Sequence, residues 1–267
     1  MADHQLQLSK TMTKSIFFSQ KAISLLTLGL MSIGLANAEE PHRILVYGDS
    51  NTYGWVSSVD SGNGHVVRLN EEDRWPEHMR KLLSPGTIVT VDALGGRTVD
   101  LNEVGKSGLG KLSADAFNGL ARLPETLAAN APIDLVVVML GTNDLKYAYE
   151  RTSYRIAIGL GAITDLIRSG SWQSSTNYPA PKVLIVSPPY LSSQTAYGKV
   201  FDGARDKSRQ LSSVIEPIVR LGGAEFLDAG AIVGEAGQKD RVHLDAQQHK
   251  VLGTAIAEKV SEILNKE

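Results

Sequence analysis

The sequence predicts an α/β protein: a single-domain, doubly wound (flavodoxin-like) three-layer α/β/α fold with a five-stranded parallel sheet. Three observations carry this reading. Five short β-rich runs recur along the chain, "RILVY" at 43–47, "TIVTVDAL" at 87–94, "DLVVVML" at 134–140, "KVLIVS" at 182–187 and "AEFLDA" at 224–229. Their apolar character is nearly continuous instead of alternating, as expected of strands covered on both faces. Helix-like stretches at 73–83, 115–130, 151–169, 202–222 and 245–265 separate and follow the runs, and regular β–α alternation builds a parallel sheet with right-handed crossovers.

Ahead of the first strand lies a targeting segment. Lys10, Lys14 and Lys21 precede the apolar run "AISLLTLGLMSIGLANA", which ends in the small-residue pattern Ala36-Asn37-Ala38. A basic lead, a short apolar stretch and small residues at its end read as a cleavable signal peptide over 1–38. A single mature domain is then expected at 39–267, secreted or periplasmic, with no membrane span after cleavage.

Bulk composition narrows the chemistry. At 267 residues and 42% hydrophobic the chain can bury a sizeable core, and no linker or repeat divides it after the leader. A net charge of -2 without basic runs argues against a nucleic-acid partner. Cysteine is absent, which excludes disulfides, thiolate metal sites and a cysteine nucleophile. No His-Glu-x-x-His and no acidic ligand cluster occur, so neither a metal nor another cofactor is expected.

Doubly wound folds place their sites outside the carboxyl ends of the strands. The first run ends in Gly48-Asp49-Ser50, the second in Gly95-Gly96-Arg97-Thr98, and the third in Gly141-Thr142-Asn143-Asp144. The fourth leads into Ser187-Pro188-Pro189, and "DRVHLD" at 240–245 precedes the last helix. The Gly- and Lys-rich stretch 99–113 reads as an insertion beside the sheet.

Ser50 at a strand end is either a helix cap or a nucleophile. A nucleophilic serine needs a base, and the base needs an orienting acceptor. Asp240 and His243 supply both within four residues; the carboxylate can fold back onto one imidazole nitrogen and leave the other aimed at Ser50. Their bland alternatives are a turn aspartate and a surface histidine. Acyl transfer also needs donors for the developing oxyanion. The N–H of Ser50, the N–H of Gly96 and the side-chain amide of Asn143 are candidates, although Gly95-Gly96 and Asn143 are also ordinary turn residues.

The blocks "GDSNTYGW", "GGRT", "GTND" and "DRVH" resemble, in order and spacing, the four sequence blocks of the SGNH (GDSL) hydrolases. The resemblance covers nearly the whole chain after the leader. It is closest to the bacterial arylesterase and acyltransferase branch, through "RW" at 74–75, "VVVMLGTNDLK" at 136–146 and "YPAPKVLIVSPP" at 178–189. It implies a serine esterase with Ser50 as nucleophile, an Asp240–His243 pair completing the triad, and an oxyanion hole of Ser50, Gly96 and Asn143. It implies short acyl esters of aryl or alkyl alcohols, with acyl transfer to alcohols or peroxide as a close variant and a carbohydrate acetylesterase as an alternative. Homo-oligomers are frequent in this branch, so one is among the expected assemblies.

Trp55, Trp75, Pro188, Pro189 and Tyr190 are candidate linings of the acyl and alcohol pockets, with plain packing as the other reading. The chain departs from the family pattern at Asn51 (usually leucine), Tyr53, Ala93 and Val99, which bears on substrate preference and acyl transfer rather than hydrolysis. A reading from a different class is a non-catalytic flavodoxin-like binding protein for a phosphorylated ligand. No Gly-x-x-x-x-Gly-Lys loop follows the first strand, and that reading leaves Asp240 and His243 without a task.

Overall fold

In chain order the strands are β1 (Arg43–Gly48), β2 (Trp55–Val56), β3 (Val67–Arg68), β4 (Ile88–Ala93), β5 (Leu135–Met139), β6 (Lys182–Ser187) and β7 (Glu225–Asp228). The α-helices are α1 (Ser50–Tyr53), α2 (Trp75–Leu82), α3 (Gly119–Asn130), α4 (Ser153–Ser169), α5 (Ala204–Leu221), α6 (Ala229–Val233) and α7 (Ala246–Leu264). The computed structural model describes residues 41–103, 112–173 and 175–266. The signal peptide read at 1–38, and residues 104–111 of the insertion, lie outside them. All described residues belong to one compact unit.

Five strands form a parallel sheet in the order β4-β1-β5-β6-β7, which is the flavodoxin order. Alternate side chains of each strand feed separate cores. Leu45, Tyr47, Val136, Val138, Val183 and Ile185 pack with Leu123, Ile156, Leu160, Ile163, Leu211 and Ile215, which come from α3, α4 and α5. Ile44, Val46, Leu135, Val137, Leu184 and Val186 pack with Trp75, Met79, Leu252, Ile256 and Val260, from α2 and α7. Both faces are therefore covered, which is why these strands read as unbroken apolar runs. Each such buried aliphatic side chain contributes about 1.5–3 kcal/mol relative to exposure.

β4 departs from the expectation of two covered faces. It is an edge strand, and Ile88 and Val91 remain 39% and 41% exposed. An edge strand has a partner on one side only and is less covered, so the exposed apolar residues of β4 report strand propensity more than burial. The ribbon of β2 and β3 and the short helices α1 and α6 have too few residues to leave a periodic signal in the sequence.

Helix starts follow ordinary capping chemistry. Asn118, Thr152 and Asp228 accept from the N–H groups of Ala121, Arg155 and Ala231 at the starts of α3, α4 and α6. Asp245 and Gln248 form a capping box at the start of α7. That cap fixes where the preceding loop, with Asp240 and His243, must end.

In this strand order the switch point lies between β1 and β5, and crevices open there at the carboxyl ends. The turns after β1 and β5 are those that carry Ser50 and Asn143.

Candidate active site

The turn after β1 is built by Asp49. Its Oδ1 accepts the N–H of Asn51 at 2.9 Å and caps α1, so Ser50 occupies the first helical position and is not the cap. Burial pushes the Asp49 carboxyl up to about 6, against the Asn51 N–H bond and the charges of His243 and Arg97.

The loop before α7 brings the other two groups. Asp240 Oδ1 accepts the backbone N–H groups of Val242 at 2.9 Å and His243 at 3.0 Å, and its Oδ2 lies 2.6 Å from His243 Nδ1. Between them Arg241 takes a left-handed φ of 61°, an uncommon conformation for a side chain with a Cβ, which tightens the turn. Burial alone would raise the Asp240 carboxyl, but the hydrogen bond and charge of His243, with the two backbone donors, bring it down to about 2. Asp240 is therefore ionised and keeps the proton on Nδ1. His243 Nε2 faces Ser50 Oγ at 2.9 Å and is left as the acceptor for the hydroxyl. All three residues are buried, within 5% exposure.

A serine hydroxyl bonded to an imidazole, itself held by a carboxylate, is the arrangement that activates a nucleophile for acyl transfer. Donors for an oxyanion stand beside it. Gly96 takes a φ of +88°, reachable without strain only by a residue lacking Cβ. Among the described residues, the N–H groups of Ser50 and Gly96 donate to no backbone carbonyl. Asn143 Nδ2 donates to the carbonyl of Arg97 at 3.1 Å and, more weakly, to Asp49 Oδ2 at 3.4 Å. The next residue, Asp144, is fully buried and accepts the N–H of Val99 with both oxygens at 3.1 and 3.0 Å; burial pushes its carboxyl up to about 7. Arg97 donates to the carbonyls of Gly48 and Asp92, tying the turn after β4 to the end of β1.

These groups open into a cavity of about 370 Å³. Ser50, His243, Asn143, Gly95 and Gly96 form its polar floor, and Trp55, Val66, Tyr197, Val200, Phe201 and Val242 form an apolar wall. Trp55 stacks on His243 at 6.0 Å between ring centroids and Tyr197 meets it edge-on at 6.2 Å, so two aromatic rings pack against the imidazole.

Of the five pocket linings expected from the sequence, only Trp55 borders this cavity. The other four are corrections. Trp75, which opens α2, is fully buried in the core against the sheet, and its backbone N–H donates to His249 Nδ1 at 3.2 Å. Pro188 and Pro189 are buried at the end of β6, and Pro188 packs against Gly141. Tyr190 turns away to bridge with Glu235 and lies against Gly230. Pro188, Pro189 and Tyr190 follow the end of β6, where the chain leads into a neighbouring loop and not over β1, whereas α2 turns Trp75 into the core.

Several residues at the site were not expected from the sequence. Asn51 bonds the backbone on both sides of His243, through the carbonyl of Val242 at 3.2 Å and the N–H of Leu244 at 2.9 Å. Gln238 Nε2 donates to the carbonyls of Trp55 and Leu244, and Asp60 accepts the N–H groups of Lys239 and Asp240. They lash the histidine loop to the stretch after α1. The only trace of this in the sequence is that Asn51 is polar where the family pattern is apolar.

The comparisons agree with the fold and the blocks. A model described as the GDSL-like lipase/acylhydrolase family matches residues 46–251. A carbohydrate acetylesterase from Sinorhizobium meliloti is 34% identical, with 83% of this chain and 99% of that chain covered and a TM-score of 0.75. An aryl esterase from M. smegmatis is 32% identical over 83% of this chain and 99% of its own, with a TM-score of 0.74. None of the curated proteins matches the chain.

Proposed function

Because the chain belongs to the GDSL-like lipase/acylhydrolase family and is an esterase, we propose that it cleaves short-chain acyl esters of aryl or alkyl alcohols through an acyl-enzyme on Ser50. The observation that carries this reading is the continuous line from Ser50 Oγ to His243 Nε2 at 2.9 Å and from His243 Nδ1 to Asp240 Oδ2 at 2.6 Å.

Ser50 Oγ attacks the ester carbonyl while Nε2 of His243 takes its proton. Asp240 holds the imidazole in the needed tautomer and stabilises the imidazolium. The carbonyl oxygen becomes negative and is met by the N–H groups of Ser50 and Gly96 and by Asn143 Nδ2, which exchanges its longer contact to Asp49. His243 returns the proton to the departing alcohol. Water, activated by the same imidazole, then releases the acid; an alcohol or peroxide in its place gives acyl transfer. A cavity near the small end of the range for ligand sites supports a short acyl group.

Hydrolysis of p-nitrophenyl esters from acetate to decanoate by wild type and Ser50→Ala tests the proposal. Turnover of the short esters is expected, with a loss of roughly a thousandfold or more in the variant. Absent turnover, or turnover unchanged by the substitution, rejects it.

A carbohydrate acetylesterase is the second reading, favoured by the identity to the Sinorhizobium meliloti enzyme of that description. For the cell, the basic lead and apolar run before Ala38 support export with cleavage after that residue. N-terminal sequencing of the secreted or periplasmic protein should return Glu39 first.

A further inference from the structure

The cavity contains two ionisable side chains that the proposed chemistry does not use. Glu103 and Lys146 line it together with Ser50 and His243. Oε2 of Glu103 is buried and has no hydrogen-bond partner. Lys146 follows the turn of Asn143–Leu145, and its ammonium feels Glu103, Asp49 and Asp144 as charges without a hydrogen bond to any of them. Burial lowers its proton affinity, and Glu103 is the largest of the three carboxylates that oppose this.

Buried polar groups are almost always bonded, because an unmade bond costs the full desolvation of the group. Among the described residues, the two side chains share a cavity and do not close into an ion pair with each other. Their bonds are therefore available to a bound molecule. The pair is neutral overall, so a net charge on the ligand gains at one side chain what it loses at the other. A hydroxyl suits both, since it accepts from the ammonium and donates to the carboxylate.

We propose that Lys146 and Glu103 form a subsite for the alcohol part of the ester, and that it selects alcohols carrying free hydroxyls beside the acylated one. The acyl group then lies toward the apolar wall of Trp55, Val200 and Phe201. The inference rests on the esterase reading of Ser50 and assigns the residues that would select the hydroxyl-bearing alcohol required by the second, carbohydrate-ester reading.

Glycerol 1-monoacetate and n-propyl acetate test it, because they differ by two hydroxyls on an otherwise equal alcohol. The quantity read is the ratio of kcat/KM for the two esters, which does not depend on how much of a variant is folded. Wild type should prefer the monoacetate by about tenfold or more, the discrimination expected of one or two such bonds. The ratio should fall toward one in Lys146→Met and in Glu103→Leu. A ratio near one in wild type, or a preference that survives both substitutions, overturns the subsite while leaving the esterase intact. Turnover of neither ester, or turnover retained in Ser50→Ala, overturns the esterase reading and the subsite with it.

Discussion

Asn51 holds His243 from both directions of the chain: its Nδ2 donates to the carbonyl of the residue before the histidine, and its Oδ1 accepts the N–H of the residue after it. The residue beside Ser50 thus sets the position of the group facing Ser50, and any shift of one is passed to the other. Asn51 is 1% exposed, so the backbone groups it satisfies cannot turn to water.

Asn51→Leu should therefore leave two buried backbone groups unpaired at a cost of about 1–3 kcal/mol each. The melting temperature falls, and kcat falls more than KM rises, because the distance from Nε2 to Ser50 is no longer held. Asn51→Asp keeps the acceptor for Leu244 but sets a buried carboxylate against the carbonyl of Val242, so it should be at least as damaging. Steady-state kinetics beside thermal melts decide this; a destabilised protein with unchanged kcat rules out the positioning role.

Asp240→Asn keeps the shape of the loop but removes the charge that fixes the tautomer, and kcat should fall by about 10⁴. The same change should alter acid stability. The Asp240 carboxyl lies at about 2 in the folded protein against an ordinary 3.8, so its contribution is present above 3.8 and is lost as pH falls toward about 2. Denaturant midpoints measured between pH 4 and pH 2 should slope less in the variant; equal slopes contradict the assignment.

Asp49 and Asp144 act in the opposite sense. Burial raises them to about 6 and about 7, so folding is favoured most below their ordinary 3.8 and that advantage is lost as pH rises through 6 to 7. Asn at position 144 retains an acceptor for the Val99 N–H and removes the titration. The drop in stability between pH 5 and pH 8 should accordingly be smaller in Asp144→Asn than in wild type, by chemical denaturation at both values.

Trp55 bounds the cavity and stacks on His243. Its ring also lies where a Cβ on Gly95 would come within 3.2 Å, so that glycine leaves room for the ring. Trp55→Ala should lengthen the preferred acyl chain in a p-nitrophenyl ester series and lower kcat by loosening the imidazole. A chain-length optimum identical to wild type places the acyl group elsewhere.

The strand pattern, the covered faces of the inner strands and the order of the four blocks are local properties, and each was legible in the chain, whereas the exposure of β4 was not. An apolar run such as "LVVVM" needs cover on both sides wherever it folds, and a serine after such a run lies at a sheet edge. The short spacing from Asp240 to His243 also brings that pair together within one loop. What the chain could not disclose was which side chains meet across it. Ser50 and His243 are 193 positions apart, and Asn51 reaches Val242 over 191. Trp75 was as plausible a pocket wall as Trp55 until the amphipathic face of α2 turned it into the core. Glu103 and Lys146 became neighbours of the nucleophile only through the packing of distant loops over the ends of β1 and β5. Local pattern follows from what each segment must bury, whereas the contents of a crevice depend on loop directions that only the packed sheet and helices determine.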